Sequence, residues 1–382
     1  MFLHHPPNDT VPTSISHRIP SPLLPEKLAG EFLPEDLVTE ILLRLPVKSL
    51  LQFKRVCKSW KTLISDPQFA NTHLQIKTTN HQQLVFSVLE ESRILSYPLN
   101  SLCENPSTPH KPATFTGIAN HDYLIIGSCN GLLCLLDSDQ RVRMCNPSIR
   151  FNSEKSPQAV SFSSNIKHHG FGYDEVNNKY KVLLVLLNRN NSSQSLTKIY
   201  TFGDDSWKTI QDFPPTRIRP FRLLGKFVSG TLNWIVENEN DGGVSSNQSV
   251  ILSFDLEKET YSEVLLPRNA GGSVGALYVL NNCLGACYSY VAKDIQWVAW
   301  LMKDYGDVES WIKFVIIPNL KPASFVEPQF VSGNGVVLLV SRLFSQVVLY
   351  SLNSGEFYYP SLTINLGMDL HVHRESLVLP RC

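Results

Sequence analysis

The chain has 382 residues, 34 basic and 34 acidic side chains, and only 18% charged residues overall. Such a neutral, sparsely charged chain lacks the basic surface that non-specific nucleic-acid binding requires, and it carries no polybasic stretch for anionic membranes. Its length suits one small and one large domain, or two medium ones.

Residues 1–28 are rich in Pro, Ser and Thr and are expected to form a disordered tail. They show no charged start followed by an apolar core, so they do not read as a secretory signal. The longest apolar run, Val182 to Leu187, is strand-sized and too short to span a bilayer. Eight cysteines stand at irregular positions with no Cys-x-x-Cys pair, as expected of reduced thiols. These features predict a soluble chain of the cytoplasm and/or nucleus, with neither nucleic acid nor membrane among its partners.

Residues 29–75 have helical texture. Pro34 opens a first helix, because its missing N–H is one that a first turn leaves unbonded anyway. Glu35 and Asp36 follow at the end where the helix dipole favours negative charge. Leu37, Val38, Ile41, Leu42 and Leu45 fall at helical spacing, and Pro46 ends the helix. A second short helix carries Val47, Leu50, Leu51 and Phe53. A third carries Val56, Trp60, Leu63 and Ile64 and stops at Asp66-Pro67. Three short helices cannot bury so many large apolar side chains, so some must face a partner or the rest of the chain.

From about residue 80 to 382 the helical period disappears. Short runs of Val, Ile, Leu, Phe, Tyr and Trp alternate with Gly, Asn, Asp and Ser turns, the pattern of all-β structure. The runs recur. One half-repeat sets glycine before an apolar strand: Gly127 and Gly131, then Gly225 and Gly230, then Gly335. The other is a hairpin ending in an aromatic residue, with Trp207, Tyr261, Trp311 and Phe357 spaced by roughly 50 residues. Stacked small sheets of this kind make a propeller, here with about six blades. In it the glycines mark inner turns and the aromatics wedge between blades. The run from Asp369 to Leu379 is strand-like and is placed to pair back into the first blade. An open β-sandwich is the alternative.

Little in the chain points to chemistry. His168-His169 and His371-x-His373 lack a third metal ligand at a recognisable spacing. Gly170-Phe-Gly172 is a fragment of a nucleotide motif with no helix after it. Asp174 and Asp255 fit hairpin turns. No catalytic residue, metal or cofactor is expected. Arg217 and Arg219, beside Pro214-Pro215 and Pro220, are assigned to an inter-blade loop and are the candidates for target contact.

The helical segment closely resembles an F-box: Leu33-Pro34, Asp36-Leu37, Glu40-Ile41-Leu42, Arg44-Leu45-Pro46, Lys48-Ser49-Leu50 and Cys57-Lys58-Ser59-Trp60. The β region resembles the F-box-associated domain of plant F-box/kelch-repeat proteins. It does so through Gly127–Leu135, Asn146-Pro147-Ser148, Gly170–Asp174 with Asn178–Val182, Gly230–Trp234, Ile251–Leu256 and Trp300–Gly306 with Ser310-Trp311. The paired glycines of an ordinary kelch blade are mostly missing, so the blades are divergent. The resemblance implies an α+β multidomain chain: a small all-α F-box followed by a divergent six-bladed kelch-like β-propeller. It also implies the substrate-recognition subunit of an SCF-type ubiquitin ligase, without catalysis of its own. Its partners would be a Skp-family adaptor, the cullin and RING subunit through that adaptor, and an unknown target protein. By the same resemblance Leu33, Pro34, Leu37, Ile41, Leu42, Leu45, Pro46, Leu50, Cys57 and Trp60 would bind the adaptor. A propeller enzyme or small-molecule receptor with an incidental helical head is the alternative, as is an F-box protein working outside a ligase.

Overall fold

In the computed structural model the described residues are 33–76, 82–88, 93–105, 112–114, 123–160, 164–188, 191–214, 216–217, 224–238, 249–268, 270–291, 295–318, 326–341, 346–360, 362 and 370–379. The predicted tail, 1–28, lies outside them. The chain divides into two compact units, residues 1–41 and 42–382. Each is described by itself.

Helix α1 (Glu35–Leu43) begins directly after Pro34, with Glu35 and Asp36 in its first turn. The Thr39 hydroxyl donates to Glu35 O at 2.9 Å. In the second unit come α2 (Val47–Phe53), α3 (Lys58–Ser65) and α4 (Pro67–Gln75). Pro46 starts α2, its carbonyl accepting the first helical bond from Leu50 N at 3.0 Å. Val56 stands in the turn before α3 rather than inside the helix. The three expected helices are followed by a fourth. Asp66, which ends α3, also caps α4: its carboxylate accepts from Gln68 N at 2.6 Å and from Phe69 N at 3.2 Å, and Pro67 fills the first helical position. Leu42, Val47, Leu50, Ile64, Phe69 and Ala70 are buried, and the His73 ring donates through Nε2 to Leu45 O at 2.9 Å.

Six small antiparallel sheets follow. The first contains β1 (Gln82–Val88), β2 (Arg93–Pro98) and β3 (Ala113–Thr114), with a short helix α5 (Leu99–Glu104) after β2. The second is β4 (Leu124–Cys129), β5 (Leu132–Leu136), β6 (Val142–Asn146) and β7 (Phe151–Asn152). The third is β8 (Ser164–Asp174), β9 (Lys179–Asn188), β10 (Asn191–Thr201) and β11 (Lys208–Thr209). The fourth has β12 (Thr216–Arg217), β13 (Lys226–Val228), β14 (Thr231–Asn238), β15 (Ser249–Asp255) and β16 (Thr260–Val264). The fifth is β17 (Ser273–Leu280), β18 (Cys283–Val291), β19 (Ile295–Met302) and β20 (Trp311–Pro318). The sixth is β21 (Val326–Val331), β22 (Val336–Ser341), β23 (Gln346–Ser351) and β24 (Phe357–Tyr358). The last strand, β25 (Leu370–Arg374), returns to pair with β1, from Gln82 opposite Arg374 to Phe86 opposite Leu370. Ring closure by the final run therefore occurs as the sequence predicts, and the sandwich alternative falls.

The inner strands adjoin in the order β25, β4, β8, β13, β17, β21 and back to β25. This closed ring makes the architecture a six-bladed propeller. The turns after the inner strands of the second, fourth and fifth blades are tight and left-handed, as two-residue hairpins require. Asn130-Gly131, Ser229-Gly230 and Asn281-Asn282 all have positive φ. Apolar clusters fill the spaces between blades, for example Val298, Trp300 and Trp311 of the fifth blade against Val228, Ile235 and Ile251 of the fourth.

The turning-point aromatics share a job. The Trp207 indole donates to Pro157 O at 2.8 Å, in the connection leaving the second blade. The Trp311 indole donates to Leu265 O at 3.1 Å, in the connection leaving the fourth. Each buried ring thus wedges against the preceding blade, as the repeat alignment anticipates. Tyr261 does the same through ring contact with Phe213, at 5.6 Å between centroids.

Candidate interaction surfaces

Leu33, Leu37 and Ile41 stand four residues apart in and just before α1, which puts them on one side of the helix. They are 59%, 46% and 51% exposed, and Pro34 is exposed with them. Large aliphatic side chains held this far into water cost free energy unless something covers them. The remaining residues expected at this surface divide. Cys57 is exposed, beside Val56, whose 62% exposure the sequence did not single out. Leu45, Pro46 and Trp60 are half-buried, and Trp60 packs edge-on against Phe53 at 5.4 Å. Leu42 and Leu50 are fully buried, so they are not surface contacts; their part is to hold the helices together.

A cavity of about 720 Å³ lies at the propeller axis. All six blades contribute to its wall, among them Asn130, Tyr173, Lys226, Asn282, Gln329 and Arg374. Asn71, Leu74 and Gln75 of α4 line it as well, on the side of the turns that follow the inner strands. Lys226 reaches from the fourth blade to Glu327 of the sixth, with Nζ 2.8 Å from the carboxylate. Gln329 also donates to Glu327, at 3.1 Å. A buried ion pair gains little net stability after desolvation, but it fixes geometry where both partners are satisfied.

The two arginines proposed for target contact separate. Arg217 is not in a loop: its backbone forms β12, opposite Glu237 near the far end of β14. The two extended residues pair because β14 runs past β13 and leaves an open edge there. Arg219 lies outside the described residues.

The groups weighed for catalysis have structural partners. Asp174 accepts from Asn177 N at 3.0 Å and pairs with Lys181 at 2.9 Å. Burial alone would push its carboxyl up, but the bonds from Asn177 and Lys181 prevail and hold it below the usual carboxylate range. Lys181 continues to Leu256 O at 2.6 Å and to Glu259 at 3.3 Å, joining the third and fourth blades. Asp255 caps its hairpin turn by accepting from Glu257 N and Lys258 N, each at 2.9 Å. His371 Nε2 donates to Ile125 O at 2.9 Å. Among the described residues no three His, Cys, Asp or Glu side chains are grouped to hold a metal ion. Burial raises the thiol pKa of Cys129, Cys134, Cys145 and Cys287, which leaves them poor nucleophiles.

Two family descriptions match this chain: an F-box domain over residues 32–72 and an F-box-associated β-propeller domain over residues 85–365. The chain belongs to the F-box proteins with an associated β-propeller. Among its relatives is the F-box/kelch-repeat protein At3g23880 of Arabidopsis thaliana. It is 34% identical over 372 residues, covering 93% of this chain and 98% of the relative. F-box protein CPR1 of the same plant is 26% identical, with 84% and 82% covered. F-box protein At3g07870 is 29% identical, with 76% and 74% covered. In this F-box/propeller chain the motifs that mark the family are mostly joints between blades. Tyr305, in the Trp300–Gly306 motif of the fifth blade, donates to Asn233 Oδ1 at 2.7 Å. Its hydroxyl also accepts from Thr231 Oγ1 at 2.8 Å, and Thr231 and Asn233 belong to the Gly230–Trp234 motif of the fourth blade.

Proposed function

We propose that this chain is the substrate receptor of an SCF-type ubiquitin ligase. The F-box helices bind a Skp-family adaptor, which brings cullin and RING subunits, and the propeller holds a target protein. The observation that carries the reading is the exposed stripe of Leu33, Leu37 and Ile41 in a segment matching the F-box. Helix-to-groove docking covers such a stripe. In this reading the chain performs no catalysis. It raises the effective concentration of target lysines beside a charged ubiquitin-conjugating enzyme. Residence in the cytoplasm and/or nucleus belongs to the same proposal, supported by seven described cysteines that are all free.

The test is co-purification of the tagged full-length chain with a Skp-family adaptor and cullin. The Leu33→Ala/Pro34→Ala double variant should lose the adaptor while its thermal unfolding stays unchanged. Central apolar anchors commonly cost about 2 kcal/mol or more each. Undiminished adaptor recovery by the double variant would refute the assignment.

A further inference from the structure

We propose that residues 370–379 form a single clasp that both closes the blade ring and fixes α4 on the propeller, so that opening the ring closure also releases α4. Three consecutive side chains at the end of β25 reach three different parts of the second unit. The Arg374 guanidinium donates to Ile76 O, at the C-terminal end of α4. A cation there satisfies a carbonyl the helix leaves unbonded and opposes the negative end of its dipole. Glu375 accepts from Gln83 Nε2 of β1 at 3.1 Å, and Gln83 in turn accepts from Ser96 of β2 at 3.0 Å. Ser376 is fully buried against the second blade. It takes a bond from Asn146 Nδ2 at 3.0 Å and donates to Gly131 O at 3.3 Å. Leu377 and Val378 are buried beyond it.

The seat of α4 and the closure of the ring therefore share one short stretch of backbone. Arg374 is held at α4 only while β25 stays paired with β1, and β25 is held from beyond by the Ser376 latch. Local opening of such a stretch exposes everything it ties down as one cooperative unit.

Hydrogen exchange followed by mass spectrometry on the full-length chain tests this on the minutes-to-hours scale. Ser376→Ala touches neither α4 nor Ile76. It is expected to speed exchange in β25 and in α4 together, by about tenfold or more, while the third to fifth blades keep wild-type rates. Faster exchange in β25 with α4 unchanged would overturn the proposal, as would equal acceleration in all six blades or no change anywhere. Arg374→Lys supplies a second arm should Ser376→Ala fail to fold. It is expected to speed exchange in α4 and leave the β25–β1 pairing protected; wild-type protection of α4 in that variant would also overturn the clasp. This readout needs no adaptor, so its failure leaves the receptor reading standing, and loss of adaptor binding leaves the clasp standing.

Discussion

The Asn146 side chain binds the chain at Ser376, 230 residues away, donating to the carbonyl at 3.1 Å and the hydroxyl at 3.0 Å, and to Val378 O at 2.9 Å. Both residues are fully buried, so these bonds have no water to replace them. Gly131 lies directly against this latch: a Cβ there would overlap Ser376, and its φ of +72° already disfavours a side chain. Gly230 occupies the equivalent turn of the fourth blade, at φ +74°, with open space around it. Gly230→Ala is therefore expected to cost about 1 kcal/mol from backbone strain alone. Gly131→Ala should cost at least about 2 kcal/mol more. Urea denaturation of the two variants side by side checks the difference.

Trp207 and Trp311 should respond alike to substitution. Replacing either by Ala removes a large buried ring and is expected to cost about 3–5 kcal/mol. Replacing either by Phe keeps most of the apolar wedge but leaves Pro157 O or Leu265 O without its indole donor, at about 1 kcal/mol. Equal losses at the two positions, measured by calorimetry, confirm their equivalence; a Trp whose removal leaves the melting temperature unchanged would not be a wedge.

The Tyr305 hydroxyl is shared by Thr231, Ser253 and Asn233 across the boundary of the fourth and fifth blades. Tyr305→Phe deletes the shared atom and leaves Ser253 Oγ and Asn233 Oδ1 without it, while Thr231 keeps Val228 O and Asn233 Nδ2. An expected cost of about 1–3 kcal/mol follows, with Asn233→Ala in the Tyr305→Phe background adding less than it does alone. Additive losses in that double-mutant cycle would show that the network is not coupled.

Within the helical region exposure separates two kinds of leucine. Leu37→Glu should abolish adaptor capture without lowering the melting temperature, because Leu37 is already in water. Leu50→Ala should lower stability by about 2–5 kcal/mol and reduce adaptor capture only as far as the helices unfold. Pull-down and thermal melting, done on the same preparations, distinguish the two.

Acid should weaken the fold through two buried histidines. Neither ring nitrogen of His168 or of His373 has a hydrogen-bond partner among the described residues. Burial lowers the pKa of His168 to about 3 and that of His373 to about 4. The unfolded chain binds these protons near pH 6.5, so both histidines favour the fold fully above that pH. Their contribution is lost as pH falls from 6.5 through 4 toward 3, by up to about 1.4 kcal/mol per pH unit for each group. His168→Leu is expected to flatten the stability profile between pH 6 and about 4, measured by urea midpoints at each pH; an unaltered slope would assign the acid sensitivity elsewhere.

Much of this architecture is written locally. Pro34 and Pro46 punctuate the helices, Gly131, Gly230 and Gly335 mark the inner turns, and the alternation around Trp207 and Trp311 carries the blade repeat. What escapes is what depends on distant partners. Nothing near Asn146 in the sequence reveals that it grips Ser376, and nothing near Arg374 points to α4. Helix α4 itself has few apolar side chains, and its signal was the Asp66-Pro67 cap, which also reads as a stop. Ile41 and Leu42 are adjacent in one stripe, yet one is half in water and the other buried, because side chains 100° apart on a helix meet different surroundings. The prolines around Arg217 read as a loop, and its backbone becomes a strand only because β14 offers it an edge.

The pairing of β25 with β1 also bears on how the protein is made. Strand β1 leaves the ribosome early, and its inner partner follows only after every other blade has been synthesised. At ordinary elongation rates the first blade waits roughly 15 to 55 s for that strand. Throughout that interval an apolar, fully bonded-in-the-end strand presents a bare edge, the kind of surface chaperones shield and stray strands join. A message cut short anywhere before Leu370 yields a chain whose first blade never completes. Such a product keeps the inner edge of β1 unpaired, the kind of edge that invites stray pairing.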